Sequence, residues 1–227
     1  FTNDHHAISN RAILIDGTSD YVRTSNVLTG VYNTFTMSVW VSPDSTDIIK
    51  TQGVSGIEGS SMQTVIPATH GSNWGTPSQN AGVGLNVGTN QIQVLEHTDN
   101  YVASPLVYAT TLTGWHLVVL VYDSHLPKLY IDGVLVTTGL ASSIPFVRPS
   151  NGSENFPWYL ESGFGAGFSP SGTGSGLYSP GGGATHYNGK FDDIGIWNRA
   201  LTPSEITQLY TAGNVAGTIT GPSSVYV

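Results

Sequence analysis

The chain has 227 residues, a formal net charge of −8 and no cysteine. Without cysteine it has no disulfide framework, no thiolate zinc site and no cysteine nucleophile. Only seven residues are lysine or arginine, so nucleic acid and anionic membranes, which need a cationic surface, are not expected partners. No run approaches the roughly 18 apolar residues of a membrane-spanning helix, so no membrane insertion is expected.

Short strand patterns follow one another through the first half of the chain. Residues 12–15 form an apolar run. Residues 36–42 alternate polar and apolar side chains apart from Trp40, which predicts a strand with one face on a core. Residues 83–87 and 91–96 are two further strand patterns separated by a short turn, as in a β-hairpin.

Stronger strand patterns lie in the second half of the chain. Residues 115–122 are nearly all apolar, which predicts a buried central strand. The dipeptide Asp132-Gly133 separates two apolar runs and favours a type I′ hairpin turn, in which both central residues have positive φ. Residues 191–197 are the last strong strand pattern. No alternation of strands with long helices is present, so the pattern predicts an all-β sandwich or barrel.

One helix is predicted after the last strand. Thr202 is placed as its N-cap, Pro203 as its first residue and Glu205 as the third, which together form a capping box. Gly213 is placed to end it. An apolar stripe at helical spacing predicts that the helix packs on the edge of the β structure. The residues of this stripe are Ile206, Leu209 and Tyr210.

Two long segments, 52–82 and 142–187, are poor in strand patterns and rich in glycine, serine and proline. Loops of this length are uncommon and often functional, so they are either solvated insertions or binding loops. We expect residues 1–213 to form one domain. Residues 214–227 have a β-like pattern after a glycine-rich break, which indicates a linker or the start of a following β module.

Several motifs in order resemble laminin-G-like domains of the concanavalin-A-like jelly-roll type. The clearest is the segment 190–206, with an acidic pair, an apolar strand, Asn-Arg-Ala-Leu and a capped helix. Residues 15–22 resemble the opening hairpin, 35–43 the second strand, and 115–133 the central hairpin. The likeness covers roughly residues 12–212. It implies an all-β, two-sheet antiparallel jelly-roll sandwich with one short helix, in which the first and last strands are neighbours.

Three aspartates form the candidate metal site. Asp16 ends the first strand pattern, and Asp192 and Asp193 begin the last, so neighbouring strands would bring their carboxylates to one edge. Strict alternation places one residue of the pair toward the core, where an unpaired charge is costly. Calcium takes six to eight oxygen ligands, and the resemblance implies a calcium ion near this edge. The sequence therefore predicts a structural calcium ion. The alternative is that these aspartates cap turns and accept backbone hydrogen bonds.

Aromatic residues in the loop-like stretches are the candidate ligand-binding residues, because an aromatic ring offers apolar area with a wet edge on which a sugar ring stacks. The alternative is that each anchors its own loop in a small core. These residues are Trp74, Tyr101, Trp158, Tyr178 and Tyr187.

No catalytic residues are predicted, and the chain is not expected to be an enzyme. A glycosidase needs two carboxylates flanking a cleft. The hydrolytic relatives usually carry an acidic pair on a concave strand, and no strand pattern here has one. The histidines show no zinc-protease spacing, and the pair His5-His6 is expected to lie on the surface rather than to form a weak metal site.

The sequence and the resemblance together favour a non-catalytic, secreted, extracellular binding or adhesion module that recognises carbohydrate. Its partner would be a glycan or a cell-surface or extracellular protein, and it would lie outside the cell or on a cell or virion surface. The alternative is a structural or decoration component of a virion or extracellular filament that has no glycan ligand and self-assembles. A glycoside hydrolase or lyase is a third possibility, which the missing acidic pair disfavours.

Overall fold

The computed structural model describes residues 1–17, 22, 30–48, 51–54, 63–66, 68, 79–98, 102–149 and 187–213. These residues form two β-sheets and one helix, which confirms the predicted all-β sandwich. In chain order the elements are β1 (Ile13–Asp16), β2 (Phe35–Pro43), β3 (Thr64–Ile66), β4 (Asn80–Val87), β5 (Gln91–His97), β6 (Val102–Ala109), β7 (His116–Asp123), β8 (Leu126–Ile131), β9 (Val134–Thr138), β10 (Phe146–Pro149), β11 (Asn188–Trp197) and α1 (Pro203–Gly213).

The two sheets have six and five strands. The six-stranded sheet has the order β1-β11-β2-β7-β8-β9, so the first and last strands are neighbours, as predicted. The five-stranded sheet has the order β10-β4-β5-β6, with β3 paired to β4. All pairs are antiparallel except β10 with β4. Long-range pairing of this kind closes a sandwich whose two inner faces form the core.

The core lies between the sheets and follows from the alternation along each strand. In β2, Met37, Val39 and Val41 face inward and are fully buried. The rings of Phe35 and Tyr122 stack in this core with centroids 4.9 Å apart. β7 is a central strand between β2 and β8, as its apolar sequence predicts. The outer face of the same sheet is apolar as well, because α1 covers it.

The helix α1 packs on the outer face of the six-stranded sheet rather than on the sandwich edge, which corrects the prediction. Ile206 is fully buried there among residues from β2, β7 and β8. The predicted capping box is confirmed: the Glu205 N–H donates to the Thr202 hydroxyl at 3.3 Å, and the Thr202 N–H donates to the Glu205 carboxylate at 2.8 Å. Arg199 holds the same carboxylate with two nitrogens.

Two tight hairpin turns have positive φ at both central residues. Asp132 and Gly133, with φ of 53° and 82°, form the turn predicted between β8 and β9. Ser124 and His125, with φ of 53° and 73°, form a second such turn between β7 and β8. This second turn contains no glycine, so no turn was predicted from its residues. Tertiary contacts hold this strained turn, because the His125 N–H donates to the Asn33 carbonyl at 3.0 Å.

The domain boundary proposed at residue 213 stays a prediction, since residues 214–227 lie outside the described part of the chain. Within the described ranges, no helix is long and apolar enough to cross a membrane.

Candidate functional site

A β-bulge in β11 determines where the aspartate pair lies. The register of β11 on β2 shifts between Asp192 and Gly195, and Asp193 has φ of 43°. Phe191 and Ile194 therefore both contribute to the core between the sheets, and Asp192 pairs with Trp40 on the opposite face. The expectation that one aspartate points into that core is wrong, because the extra residue of the bulge breaks the alternation.

Asp16 is not part of the same cluster. It pairs with Asn188 at the far end of the β1–β11 ladder. Four residues of β11 separate that position from Asp192, a distance of about 13 Å along a strand. The prediction grouped all three aspartates because β1 and β11 are neighbours. It did not include the register, which decides which residues of the two strands lie side by side. Asp16 is therefore removed from the candidate site.

The third member of the cluster is His5, from the N-terminal segment. Its Nδ1 lies 3.1 Å from Asp192 Oδ2, and the ligand atoms of His5, Asp192 and Asp193 all lie within 4.8 Å of one another. The expectation that His5 lies on the surface is wrong, since 2% of its side chain is exposed. A turn at Asp4 places it: Asp4 Oδ1 accepts the N–H groups of His6 and Ile8 at 2.9 and 2.7 Å.

Aromatic rings and the end of α1 complete the surroundings of His5. Its ring stacks on the Trp40 indole with centroids 4.2 Å apart and an interplanar angle of 5°. The Trp40 indole stacks in turn on Tyr210 of α1. His5 Nε2 donates to the Gly213 carbonyl at 2.8 Å. One side chain thus joins the N-terminal segment, the β11 bulge and the last turn of the helix.

This cluster, as described, does not fit calcium. Calcium takes six to eight oxygen ligands, whereas the three side chains here include one imidazole. Both nitrogens of that imidazole already face oxygen atoms that only accept hydrogen bonds, so neither offers a lone pair to a metal ion. The calcium ion predicted from the sequence stays a prediction, and these residues are not assigned as its ligands.

Glu96 is a buried carboxylate inside the sandwich. It lies on β5 facing the core and is 1% exposed. The Tyr122 hydroxyl donates to its Oε1 at 2.8 Å, and the Ser142 hydroxyl donates to its Oε2 at 2.6 Å. Burial raises the pKa of Glu96, although the two hydrogen bonds partly oppose that rise. This burial was not predicted, because a strand pattern does not show which polar residue has hydrogen-bond partners.

Uncharged polar side chains line the outer face of the five-stranded sheet. The Thr64 hydroxyl donates to the Asn86 side-chain oxygen at 2.9 Å, and the Asn86 amide donates to Gln93 at 3.2 Å. The Gln93 amide donates to the Ser104 hydroxyl at 2.6 Å. This hydrogen-bonded row crosses β3, β4, β5 and β6, and all four side chains are buried. The network was not predicted from the sequence.

Of the predicted ligand-binding aromatics, only Tyr187 lies in the described residues. It is fully buried in the core and its hydroxyl donates to the Lys190 carbonyl at 3.0 Å, so it is not available to stack on a ligand. That prediction is wrong for Tyr187, because its ring fills the space between the sheets. Trp74, Tyr101, Trp158 and Tyr178 lie outside the described residues.

The residues that bracket Trp74 and Tyr101 in the sequence meet at one end of the five-stranded sheet. The Ala68 carbonyl lies 3.0 Å from His97 Nδ1, and His97 pairs with Val102. The Phe146 N–H donates to the Gln79 carbonyl at 2.9 Å. We call this the aromatic end, defined by Ala68, Gln79, His97, Val102 and Phe146.

An exposed aromatic pair lies at the aromatic end. Phe146 is 44% exposed and packs edge-on against Tyr32 with centroids 5.6 Å apart. Its neighbour Val147 is buried in the core, so alternation directs Phe146 to the outer face of the sheet. No sequence pattern joins these two residues, because they lie 114 positions apart.

The chain matches a family model described as the concanavalin A-like lectin/glucanases superfamily over residues 16–207. The chain belongs to this family. No curated protein matches it significantly.

The fold of this chain is similar to that of the botulinum neurotoxin serotype D binding domain. The match has a TM-score of 0.52 and 16% identity, and it covers 90% of this chain and 44% of the other. It also matches domain 4 of AbnA, a GH43 extracellular arabinanase from Geobacillus stearothermophilus, in complex with arabinotriose. That match has a TM-score of 0.47 and 18% identity and covers 88% of this chain and 76% of the other.

These similarities show the fold. This chain of the concanavalin A-like family spans less than half the length of the neurotoxin binding domain that it matches.

Proposed function

We propose that this domain is a non-catalytic, extracellular glycan-binding module. The description of the family names lectins and glucanases, and both classes of protein act on glycans. The fold alone does not choose between binding and hydrolysis, so the choice depends on the side chains. The single observation that carries the proposal is the exposed Phe146, which packs edge-on against Tyr32 at one end of the five-stranded sheet.

The position of the carboxylates favours binding over hydrolysis. Hydrolysis needs two carboxylates on either side of the scissile bond, roughly 5–10 Å apart. On the outer face of β4 and β5 the hydrogen-bonded pair Asn86 and Gln93 consists of amides, which cannot serve as the two carboxylates. Glu96 of β5 faces the opposite way and is enclosed by Tyr122 and Ser142, so a substrate on the outer face does not contact it.

The aromatic end is the proposed ligand-binding surface. Phe146 offers exposed apolar area there, and the described residues that flank Trp74 and Tyr101 in the sequence lie at the same end of the sheet. Sugar rings stack on aromatic faces because each buries its apolar side and leaves its hydroxyl groups in water.

The test is a glycan array followed by calorimetry with the best-bound oligosaccharide. We expect Phe146→Ala to weaken binding about tenfold, equivalent to about 1.4 kcal/mol. Leu135→Ala is the matched control, because Leu135 is similarly exposed at 49% but lies on β9 of the other sheet. Absence of binding to every glycan would refute the proposal. Polysaccharide cleavage that a glutamate substitution abolishes would refute the non-catalytic part.

One observation favours the alternative of a structural component that self-assembles. β9 is an edge strand of the six-stranded sheet, with Val134 64% and Leu135 49% exposed. Exposed apolar edge strands pair with other chains unless they are protected. Ordered assembly in analytical ultracentrifugation that Val134→Lys abolishes, together with no glycan binding, would favour this function over the module.

A further inference from the structure

We propose that a protonated His5 is the built-in cation of the Asp192–Asp193 pair, and that it clasps the N-terminal segment to the end of α1 where the resemblance implies a metal ion. The argument starts from hydrogen-bond chemistry. A carbonyl oxygen and an ionised carboxylate only accept hydrogen bonds. His5 Nε2 lies 2.8 Å from the Gly213 carbonyl and Nδ1 lies 3.1 Å from the Asp192 carboxylate. Both ring nitrogens must therefore carry hydrogen, which makes the ring an imidazolium.

The charged surroundings agree with this protonation state. Burial alone would lower the pKa of His5. The hydrogen bond to Asp192 and the negative charges of Asp192 and Asp193 outweigh that effect and raise the pKa above its ordinary value. Burial and the charge of Asp192 raise the pKa of Asp193, which indicates a crowded pair of carboxylates that gains from a nearby cation.

The other groups that face His5 are its neighbours in the N-terminal segment and the rings of the outer face. The His6 ring lies 4.1 Å from the His5 ring, and the Trp115 ring lies 6.2 Å away, edge-on. Trp40 presents the face of its indole, and a cation over an aromatic face is attracted by the ring. Asp4 adds further negative charge near Asp193. The Asp192 carboxylate, the Gly213 carbonyl and the face of Trp40 thus each interact favourably with a cation at His5.

The clasp has a structural consequence. Asp192 uses its second oxygen, Oδ1, to accept the N–H of Asp193 at 2.9 Å, so the same carboxylate closes the bulge and holds His5. His5 and Asp192 lie 187 positions apart. A neutral His5 would keep only one ring N–H, so either the contact with Gly213 or the contact with Asp192 would be lost. We therefore expect the clasp to hold below the raised pKa of His5 and to open above it.

The first measurement is a long-range ¹H–¹⁵N spectrum of the histidine rings in the full chain at pH 6.5. We expect both nitrogens of His5 to be protonated, and His5→Gln to identify its signals by their disappearance. A His5 ring nitrogen without a proton at this pH would overturn the proposal. The protonation state is read from the native sequence, and His5→Gln serves only to assign the His5 signals.

The second measurement is thermal melting at pH 6 and pH 9. His5→Gln removes two charge-assisted hydrogen bonds, so we expect it to melt about 5 °C below the native chain at pH 6. We expect this difference to be smaller at pH 9. Asp192→Asn, made separately and combined with His5→Gln, should show that the two effects are not additive. His6→Gln is the matched control and should lower the melting temperature less than His5→Gln does at pH 6. Equal effects of His5→Gln at both pH values would overturn the proposal.

Metal ions provide the third comparison. Chelator, calcium chloride and zinc sulfate are each added to the native chain and to Asp192→Asn. We expect none of them to change the melting temperature of the native chain. A shift that is present in the native chain and absent in Asp192→Asn would show that the pair holds a metal ion and would overturn the assignment to His5.

Discussion

Glu96→Gln gives a direct test of the buried carboxylate in the core. The substitution keeps the shape of the side chain and removes the charge. One of the two hydroxyl groups that donate to Glu96, from Tyr122 or Ser142, must then accept from the amide instead. Burial raises the folded-state pKa of Glu96 above its ordinary value of about 4.5. The stability that this group contributes is therefore fully present below about pH 4.5 and declines as the pH rises through the raised pKa.

The magnitude follows from linkage. Each unit by which the pKa is raised costs the native chain about 1.4 kcal/mol at pH 8, a cost that Glu96→Gln does not have. Relative to the native chain, the variant should therefore gain about 1.4 kcal/mol per unit between pH 4 and pH 8. For a chain of this size, each 1.4 kcal/mol corresponds to a gain of about 3–6 °C in melting temperature.

The assay is equilibrium unfolding in urea, followed by circular dichroism, at pH 4, 6 and 8. Glu205→Gln is the matched control with the opposite sign. Hydrogen bonds from Arg199 and Thr202 lower the pKa of Glu205 to about 2, so its contribution is present above the ordinary pKa and is lost as the pH falls toward 2. Because Glu205 is exposed, that effect should be at most about 1 kcal/mol. An offset between Glu96→Gln and the native chain that does not change from pH 4 to pH 8 would refute the reasoning.

Three further substitutions test packing and capping, each by melting temperature and urea midpoint. Gly213→Ala should cost about 1–2 kcal/mol, because an added Cβ would lie 2.9 Å from the Trp40 indole; an unchanged midpoint would show that this contact is not tight. Thr202→Ala should cost about 1 kcal/mol by removing the N-cap, and Thr202→Ser should restore most of it. Tyr187→Phe should cost about 1 kcal/mol by leaving the Lys190 carbonyl without this donor; a stabilised variant would contradict the assigned bond.

Sequence patterns predicted most of the strands because alternation and turn chemistry are local. The Asp132-Gly133 turn and the capping box of α1 are read from adjacent residues, and the structure has both. The turn at Ser124 and His125 was missed for the same reason. Its positive φ angles are held by Asn33, which is distant in the sequence, so no local signal marks it.

The candidate site shows where pattern reasoning fails. The family resemblance correctly implied that the first and last strands pair, and this pairing brought Asp16 into the proposed cluster. In the structure, the register of β1 on β11 places Asp16 beside Asn188, away from Asp192. The bulge at Asp193 places the pair of Asp192 and Asp193 on the outer face of the sheet. A shift of a few residues changes which side chains meet, and register depends on packing across the whole sheet.

The sequence by itself determined the fold class, the family resemblance and the capped helix, because these depend on local periodicity and on short motifs in order. Only the tertiary structure decided that His5 meets Asp192, that Glu96 is enclosed by Tyr122 and Ser142, and that Phe146 packs against Tyr32. Each of these groups joins residues that are far apart along the chain. Their contacts depend on how the two sheets and the helix pack, and that packing cannot be predicted from local sequence patterns.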